Sequence, residues 1–383
     1  MSLQSRAVTM TKQMIQIEST DPGTYENAMA DWITTQLAPY PNVRLSRQEV
    51  LPGRPNLIAE LTGDPSLPAL VMICHMDTVV VGDGWTLPPF DAIEKDGKIY
   101  GRGACDMKSG LACCLSAFQY AAETLQTSGK TPKQTLKLIC SMDEEDFMRG
   151  SEACIQAGWV TDHDWVIDAE PTNGQIQMAH KGRTWYEIDV QGHTAHASTP
   201  WKGADAMAEI IREIRHAILY APVHPDMGSS TVTFGQITGG YRPYVVPDHC
   251  KVWIDMRLVP PLNTEKTNAI VEAAIEHAEQ SVSGISATYK ITGDRPPIEQ
   301  NPTSPLLENL KLSCQEVTGE VPQVSCFTGY TDTAVIAGQL HNRNCMSYGP
   351  GCLEAAHQPD EWVVIDDILR CEQVYQQLVK STI

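Results

Sequence analysis

Histidines and acidic residues fall directly behind apolar runs at several separate points of this chain. ALVMIC is followed by His75-Met76-Asp77, LKLICSM by Asp143-Glu144-Glu145-Asp146, and WVIDA by Glu170. GRGACDMKSG sets Asp106 just ahead of a helical stretch, and AAHQPDE supplies His357 far downstream. Singly, each has an ordinary reading. His75 and Asp77, two apart on a strand, share one face and can be a hydrogen-bonded pair at a sheet end. Asp106 can cap a helix, and the acidic run can be a solvated loop. Together, carboxylates and imidazoles aimed at one edge repel unless a cation sits among them. Nitrogen and oxygen donors without a thiolate suit zinc in a catalytic site, with cobalt or manganese as substitutes. Five candidate ligands, His75, Asp106, Glu145, Glu170 and His357, exceed what one open zinc site requires. Two divalent ions roughly 3.5–4 Å apart, bridged by one carboxylate, would use them all. Two cysteines adjoin these positions. Cys74 neighbours His75 on a strand and points to the opposite face, into the core. Cys105 is less constrained, but a Cys/His nucleophile would leave the acidic cluster without a purpose.

The elements that must carry these residues can be read from hydrophobic periodicity. Tyr25, Met29, Ile33 and Leu37 recur at helical spacing, as do Leu111, Cys114, Leu115 and Phe118, while apolar runs at 57–61, 69–74, 135–140 and 164–169 read as strands, several buried on both faces. Open α/β sheets build their sites at the carboxyl ends of such strands. From about residue 183 the pattern changes. WYEIDV reads as a strand, Met207, Ile210, Ile211, Ile214 and Ile218 form a helical stripe, and STVTFGQI reads as a second strand. Cys250, Val252, Ile254, Met256 and Leu258 then alternate, followed by a helix with Ile270, Ala274, Ile275 and Ala278 and a strand near ATYKIT. That order, βαββαβ, is the split pattern of a ferredoxin-like sandwich. Helix and strand alternation resumes after the Pro-rich GDRPPIEQNP. The expected fold class is α/β: a mixed-sheet, discontinuous metal-binding domain over 1–182 and 294–383, interrupted by an inserted α/β sandwich over 183–293.

Composition narrows the function classes. The 383 residues carry 28 basic and 47 acidic side chains, a formal charge of −19. Such a surface repels phosphate backbones and anionic lipid heads, so neither nucleic acid nor a membrane is an expected partner. No run approaches the roughly 20 apolar residues needed to span a bilayer. The N-terminus, MSLQSRAVTMTKQ, lacks the basic and apolar regions of a secretion signal. Twelve scattered cysteines with no repeated CxxC spacing suit free thiols in a reducing, cytoplasmic compartment.

With HMD, GRGACDMKSG, MDEED, AEPT, GHTAHASTP, WIDMR and HQPDEW in this order, the chain resembles the co-catalytic zinc amidohydrolases that include acetylornithine deacetylase, succinyl-diaminopimelate desuccinylase and glutamate carboxypeptidase. The resemblance implies a zinc-binding α/β domain with an inserted lid and dimerisation sandwich. It implies hydrolysis of an N-acyl amino acid or short peptide with a free carboxylate, by a homodimer. Asp106 would be the bridging carboxylate, His75 and Glu170 would hold one ion, and Glu145 and His357 the other. Asp77 would orient the His75 imidazole. Spacing alone does not rank the four contiguous acids, nor Asp168 against Glu170. The family match makes Glu144 the general base that deprotonates the attacking water and returns the proton to the departing amine. His196, in GHTAHASTP, matches a histidine that crosses from the partner subunit to stabilise the oxyanion. Arg257 matches an arginine that clamps a substrate carboxylate. In GGYRPYVVPD, many relatives carry an asparagine that contacts substrate where this chain has Tyr244, which bears on specificity rather than chemistry. Thr331, in FTGYTDTAV, resembles a turn beside the site, although Asp332 could simply cap the following helix. A dipeptidase or aminopeptidase on the same centre, and a binding protein that keeps the fold without hydrolysis, are the alternatives.

Overall fold

The computed structural model describes residues 5–200 and 206–383, and the side chains of 206–208 lie outside the description. The chain divides into two compact units. The first comprises the described residues up to Met178, with Gln300–Ser325 and Thr331–Ile383; the second comprises the described residues of Ala179–Glu299, with Cys326–Tyr330.

The first unit is organised by an eight-stranded sheet. In its middle, Cys345–Ser347, Trp165–Asp168, Leu70–His75 and Leu136–Ser141 run parallel as neighbours. Arg54–Leu61 and Arg44–Leu51 continue the sheet antiparallel on one side, and Ile176–His180 does so on the other. All six residues of Leu70–His75 are buried, as a parallel strand covered on both faces requires. Alternation divides its side chains. Leu70, Met72 and Cys74 join the main core with Leu111, Cys114, Leu115 and Phe118 of the helix Lys108–Ser128. Val71, Ile73 and His75 share the opposite face, and the helix Asp332–Leu340 packs on this strand. Because the middle strands are parallel and His75 pairs in register with Ser141, their chemically active ends open on the same edge.

The helical stripe expected from Tyr25 to Leu37 begins too early. The helix runs Asn27–Leu37 and buries Met29, Ile33 and Leu37, whereas Tyr25 precedes it at φ 59°. Its ring is instead stacked against Arg54, 4.2 Å from guanidinium carbon to ring centroid.

In the second unit, a four-stranded sheet orders its strands as Thr231–Gly239, His249–Leu258, Gly182–Gln191, Ser286–Arg295. The helices Ala206–Leu219 and Thr264–Ser281 fall between them in the chain, giving the βαββαβ order. Ile210, Ile214, Ile218, Val252, Ile254, Met256, Ala274 and Ala278 form its core. Met207, also assigned to that stripe, lies outside the described side chains. No helix among the described residues is long and apolar enough to cross a membrane.

One close approach fixes where Glu170 emerges. A Cβ on Gly110, in the first turn of the helix Lys108–Ser128, would stand 2.1 Å from the Ala169 carbonyl oxygen, and one on Gly349 would stand 2.2 Å from it. Only hydrogen at both positions lets the helix start and the following loop close on this strand end. Gly110→Ala is therefore expected to cost about 1–3 kcal/mol through overpacking. The readout is the urea midpoint, and an unchanged midpoint would show that the strand end can yield.

Candidate metal centre

Asp106 stands between two imidazoles. His75 Nε2 lies 3.1 Å from its Oδ1, and His357 Nε2 lies 3.4 Å from its Oδ2. On the His75 side, Glu170 Oε1 is 3.6 Å and Glu144 Oε2 4.0 Å from Nε2. On the His357 side, Glu145 Oε2 is 3.0 Å from Nε2. His75, Asp106, Glu144 and Glu170 are buried, while the His357 side chain is 50% exposed, so the cluster has one open side.

This arrangement fits a divalent ion on three counts. His75 Nδ1 is 2.9 Å from the Asp77 main-chain carbonyl. A proton donated there fixes the tautomer that leaves the Nε2 lone pair toward Asp106, Glu144 and Glu170. Glu145 Oε1 is buried without a hydrogen-bond partner among the described residues. The titration behaviour points the same way. Burial, followed by the Asp106 carboxylate, drives the Glu170 carboxyl well above its usual range, and burial likewise raises Glu144. Burial alone would lower His75, but the hydrogen bond with Asp106 and the charges of Glu170 and Glu144 raise it well above the ordinary imidazole. Hydrogen bonds with Asp106 and Glu145 push His357 up to about 10. The site draws in positive charge, and a metal ion supplies it without protons on the ligands. The donors are imidazole nitrogen and carboxylate oxygen, a set that suits zinc, cobalt or manganese.

The four acids after Ser141 separate clearly. Asp143 is tied to Arg149 Nε at 2.6 Å and lies 3.3 Å from Arg54 Nη2, so its charge is already matched. Asp146 is exposed. Among these four, Glu144 and Glu145 are the ones that approach the imidazoles. Asp168 accepts from the Thr333 hydroxyl at 2.9 Å, whereas Glu170 faces His75.

Asp77 approaches the His75 ring with both its carboxylate and its main-chain carbonyl. Its carboxylate Oδ1 is 3.7 Å from His75 Nδ1, and the main-chain carbonyl makes the closer contact. The strand ends at His75, so the backbone turns and brings the carbonyl of residue 77 under the ring. The carboxylate then accepts the main-chain N–H groups of Glu144 at 3.2 Å and Glu145 at 3.1 Å, holding the turn that presents both glutamates. Thr331 is a buried N-cap residue whose hydroxyl meets that of Thr333 at 2.8 Å. Asp332 does not cap: it is the first residue of the helix, and its buried carboxylate accepts from the hydroxyls of Ser141 and Ser151.

His196, Tyr244 and Arg257 belong to the second unit. The His196 side chain is exposed, with Nδ1 2.8 Å from Ser198 Oγ. Main-chain bonds from Ala197 to Tyr244 and from Val246 to Ala195 hold the His196 and Tyr244 segments side by side. Tyr244 is exposed. Arg257 uses Nε and Nη2 on the Asp255 carboxylate, at 2.8 and 3.0 Å.

Sequence reasoning missed the supports beneath the cluster. Arg54 Nε donates to buried Glu26 at 2.9 Å, and Glu26 also accepts from the Asp143 main chain at 3.2 Å. Glu361 takes up main-chain N–H groups around Asp106. A signal for Glu361 existed, since it lies in the HQPDEW segment that supplies His357.

Residues 71–381 match the family described as Peptidase family M20/M25/M40. The chain belongs to this family. It is a metal-dependent hydrolase acting on amide bonds. A probable succinyl-diaminopimelate desuccinylase of Staphylococcus aureus (strain MSSA476) is 28% identical over 356 residues, covering 85% of each chain. Acetylornithine deacetylase of Myxococcus xanthus is 26% identical over 337 residues, covering 85% of this chain and 83% of that one. Aminopeptidase PepT from Bacillus cereus ATCC 10987 superposes with a TM-score of 0.80 at 21% identity, over 98% of this chain and 97% of that one. At that identity, the last likeness shows the shared fold.

All twelve cysteines are free. Cys105 is buried and its thiol is 3.1 Å from the Cys352 carbonyl oxygen, while burial raises its pKa well above the ordinary thiol. A thiol so placed is no nucleophile. Iodoacetamide applied to the native enzyme should therefore leave turnover intact, and a chelator should abolish it until a divalent ion is restored. The opposite pattern would transfer the chemistry to Cys105.

Proposed function

We propose that this protein hydrolyses the amide bond of an N-acyl amino acid or short peptide bearing a free carboxylate, using two divalent ions, zinc in the first instance. The observation that carries the reading is Asp106, whose two oxygens each lie within reach of a different imidazole. A carboxylate presented in this way suits a bridge. His75 and Glu170 would complete one site, and His357 and Glu145 the other. When bound, divalent ions acidify the attacking water and polarise the scissile carbonyl.

The chain's own residues supply the proton chemistry and the grip on substrate. Glu144, beside His75 but outside both ligand sets, takes the water's proton on its carboxylate and delivers it to the departing nitrogen. Asp77 holds the main chain of Glu144 and Glu145, so base and ligand keep a fixed separation. Arg257, oriented by its pair with Asp255, receives the substrate carboxylate. The second unit serves as lid and dimerisation module. His196 there stabilises the oxyanion from a partner subunit, and Thr331 supports the substrate side of the centre. Free thiols throughout are consistent with a reducing, cytoplasmic setting.

The deacylase and desuccinylase names of the two relatives support the acyl-amino-acid substrate. Tyr244 favours a second reading. A large exposed ring in place of a small amide donor suits a peptide side chain, and this points to a dipeptidase or aminopeptidase on the same centre.

A hydrolysis panel of N-acetyl and N-succinyl amino acids and dipeptides, each with a free and an amidated carboxylate, separates these readings. Turnover should require the free carboxylate, and Arg257→Lys should raise KM for such substrates about tenfold or more with kcat little changed. Equal cleavage of amidated substrates would sink the clamp. Glu144→Gln should lower kcat at least about 100-fold with metal content unchanged. Near-normal kcat in that variant would remove Glu144 as the base.

A further inference from the structure

The loop that carries Asp106 is held from behind by a single side chain. Glu361 is buried, and both its oxygens are occupied. Oε1 accepts the main-chain N–H groups of Cys105 at 2.8 Å and Asp106 at 3.0 Å. Oε2 accepts the N–H of Gly103 at 3.0 Å and Nη1 of Arg102 at 2.7 Å. Arg102 is itself buried, with its guanidinium 5.1 Å from the Trp85 ring centroid and Nη2 3.2 Å from the Val81 carbonyl oxygen. The main chain of Glu361 is fixed as well. Its carbonyl accepts from Gly101 N at 2.9 Å, and the next residue, Trp362, begins a strand paired with Lys98–Tyr100.

Charge-assisted bonds to three amides of one loop and one guanidinium make an anchor that neither a neutral nor a shorter side chain reproduces. The same segment also delivers His357, four residues earlier, to the far oxygen of Asp106. One stretch of chain therefore sets both halves of the His357–Asp106 contact: it brings in the imidazole at one end and pins the aspartate's own amide at the other.

We propose that Glu361 is the positioning residue that fixes Asp106 between His75 and His357, so that the affinity of the centre for its divalent ions is set by a carboxylate spent on main-chain amides. This rests on the reading of Asp106 as the shared carboxylate. Groups that orient a ligand typically change metal affinity or activity by about 10–100-fold when removed. Glu361→Gln keeps the shape but cannot accept at both ends. Glu361→Asp keeps the charge but is too short to span Gly103 and Asp106.

The test is titration of zinc into metal-stripped full-length protein against a competing chromophoric chelator, for wild type and both variants. Cobalt(II) absorption spectra and steady-state kinetics accompany it. Both variants should bind zinc about 10–100-fold more weakly, show an altered cobalt spectrum, and recover kcat in excess zinc with KM unchanged. A merely structural role would lower the melting temperature but leave the cobalt spectrum and the zinc dependence of kcat unmoved. Wild-type affinity in a folded Glu361→Gln protein overturns the proposal, and if that variant does not fold, wild-type affinity in Glu361→Asp does so. Wild-type protein that binds no divalent ion would instead sink the reading of Asp106 itself, a separate failure seen before any variant is compared.

Discussion

Crowding carboxylates and imidazoles within 4 Å of one another, largely out of water, is the constraint on which the rest of this structure depends. Two like charges about 4 Å apart repel by roughly 4 kcal/mol at the effective dielectric of a protein surface, and more as water is excluded. In the groups His75, Glu144, Glu170 and His75, Asp106, Glu145 the carboxylate oxygens lie within 4.8 Å of one another, so this repulsion is a sizeable fraction of the net stability of an ordinary domain, about 5–15 kcal/mol. The arrangement persists only where positive charge is supplied and the backbone resists spreading. Four parallel strands answer the second need. Their ends open on one edge, and Gly110 and Gly349 let a helix start and a loop close on the Ala169 carbonyl behind it.

Beneath the cluster, each acid not aimed at an imidazole is spent on a main-chain amide, a hydroxyl or an arginine. The Asp77 carboxylate holds the amides of Glu144 and Glu145, Glu361 those around Asp106, and Asp332 the hydroxyls of Ser141 and Ser151. Arg54 draws Asp21, Glu26 and Asp143 together at the foot of the acidic turn. Buried ion pairs of this kind add little net stability, because desolvation offsets their attraction. Here they hold geometry: removing the charge of Asp143 from the reacting edge leaves Glu144 and Glu145 as the acids of that turn beside the histidines.

The strands that carry the cluster, unlike these supports, were legible in the sequence for a definite reason. Leu70–His75 is buried along its whole length and Leu136–Ser141 at every position but Lys137, so they read as mainly apolar runs, and the residues just behind each run must emerge at a strand end. The strict alternation from Cys250 to Leu258 announced a half-covered sheet, and the second unit has one. Tyr25 shows where periodicity misleads. It fell on the helical stripe by spacing, yet a cation–π contact with Arg54 and a left-handed backbone place it outside the helix. Apolar pattern records that a residue is sheltered, not which partner shelters it.

The amino-acid order by itself indicated most of the strands and helices, a second unit set within the first, and a short set of candidate donors for a cation, because local periodicity and strand ends are written in neighbouring positions. Which acid faces which imidazole was decided only in three dimensions. The two oxygens of Asp106 are divided between His75 and His357, the Asp77 carbonyl comes closer to the ring than its carboxylate does, and Glu361 reaches back to the loop of Asp106. These assignments depend on side chains far apart in the chain competing for the same few donors. Spacing along the chain carries no record of that competition, whereas hydrogen-bond distance and burial settle it.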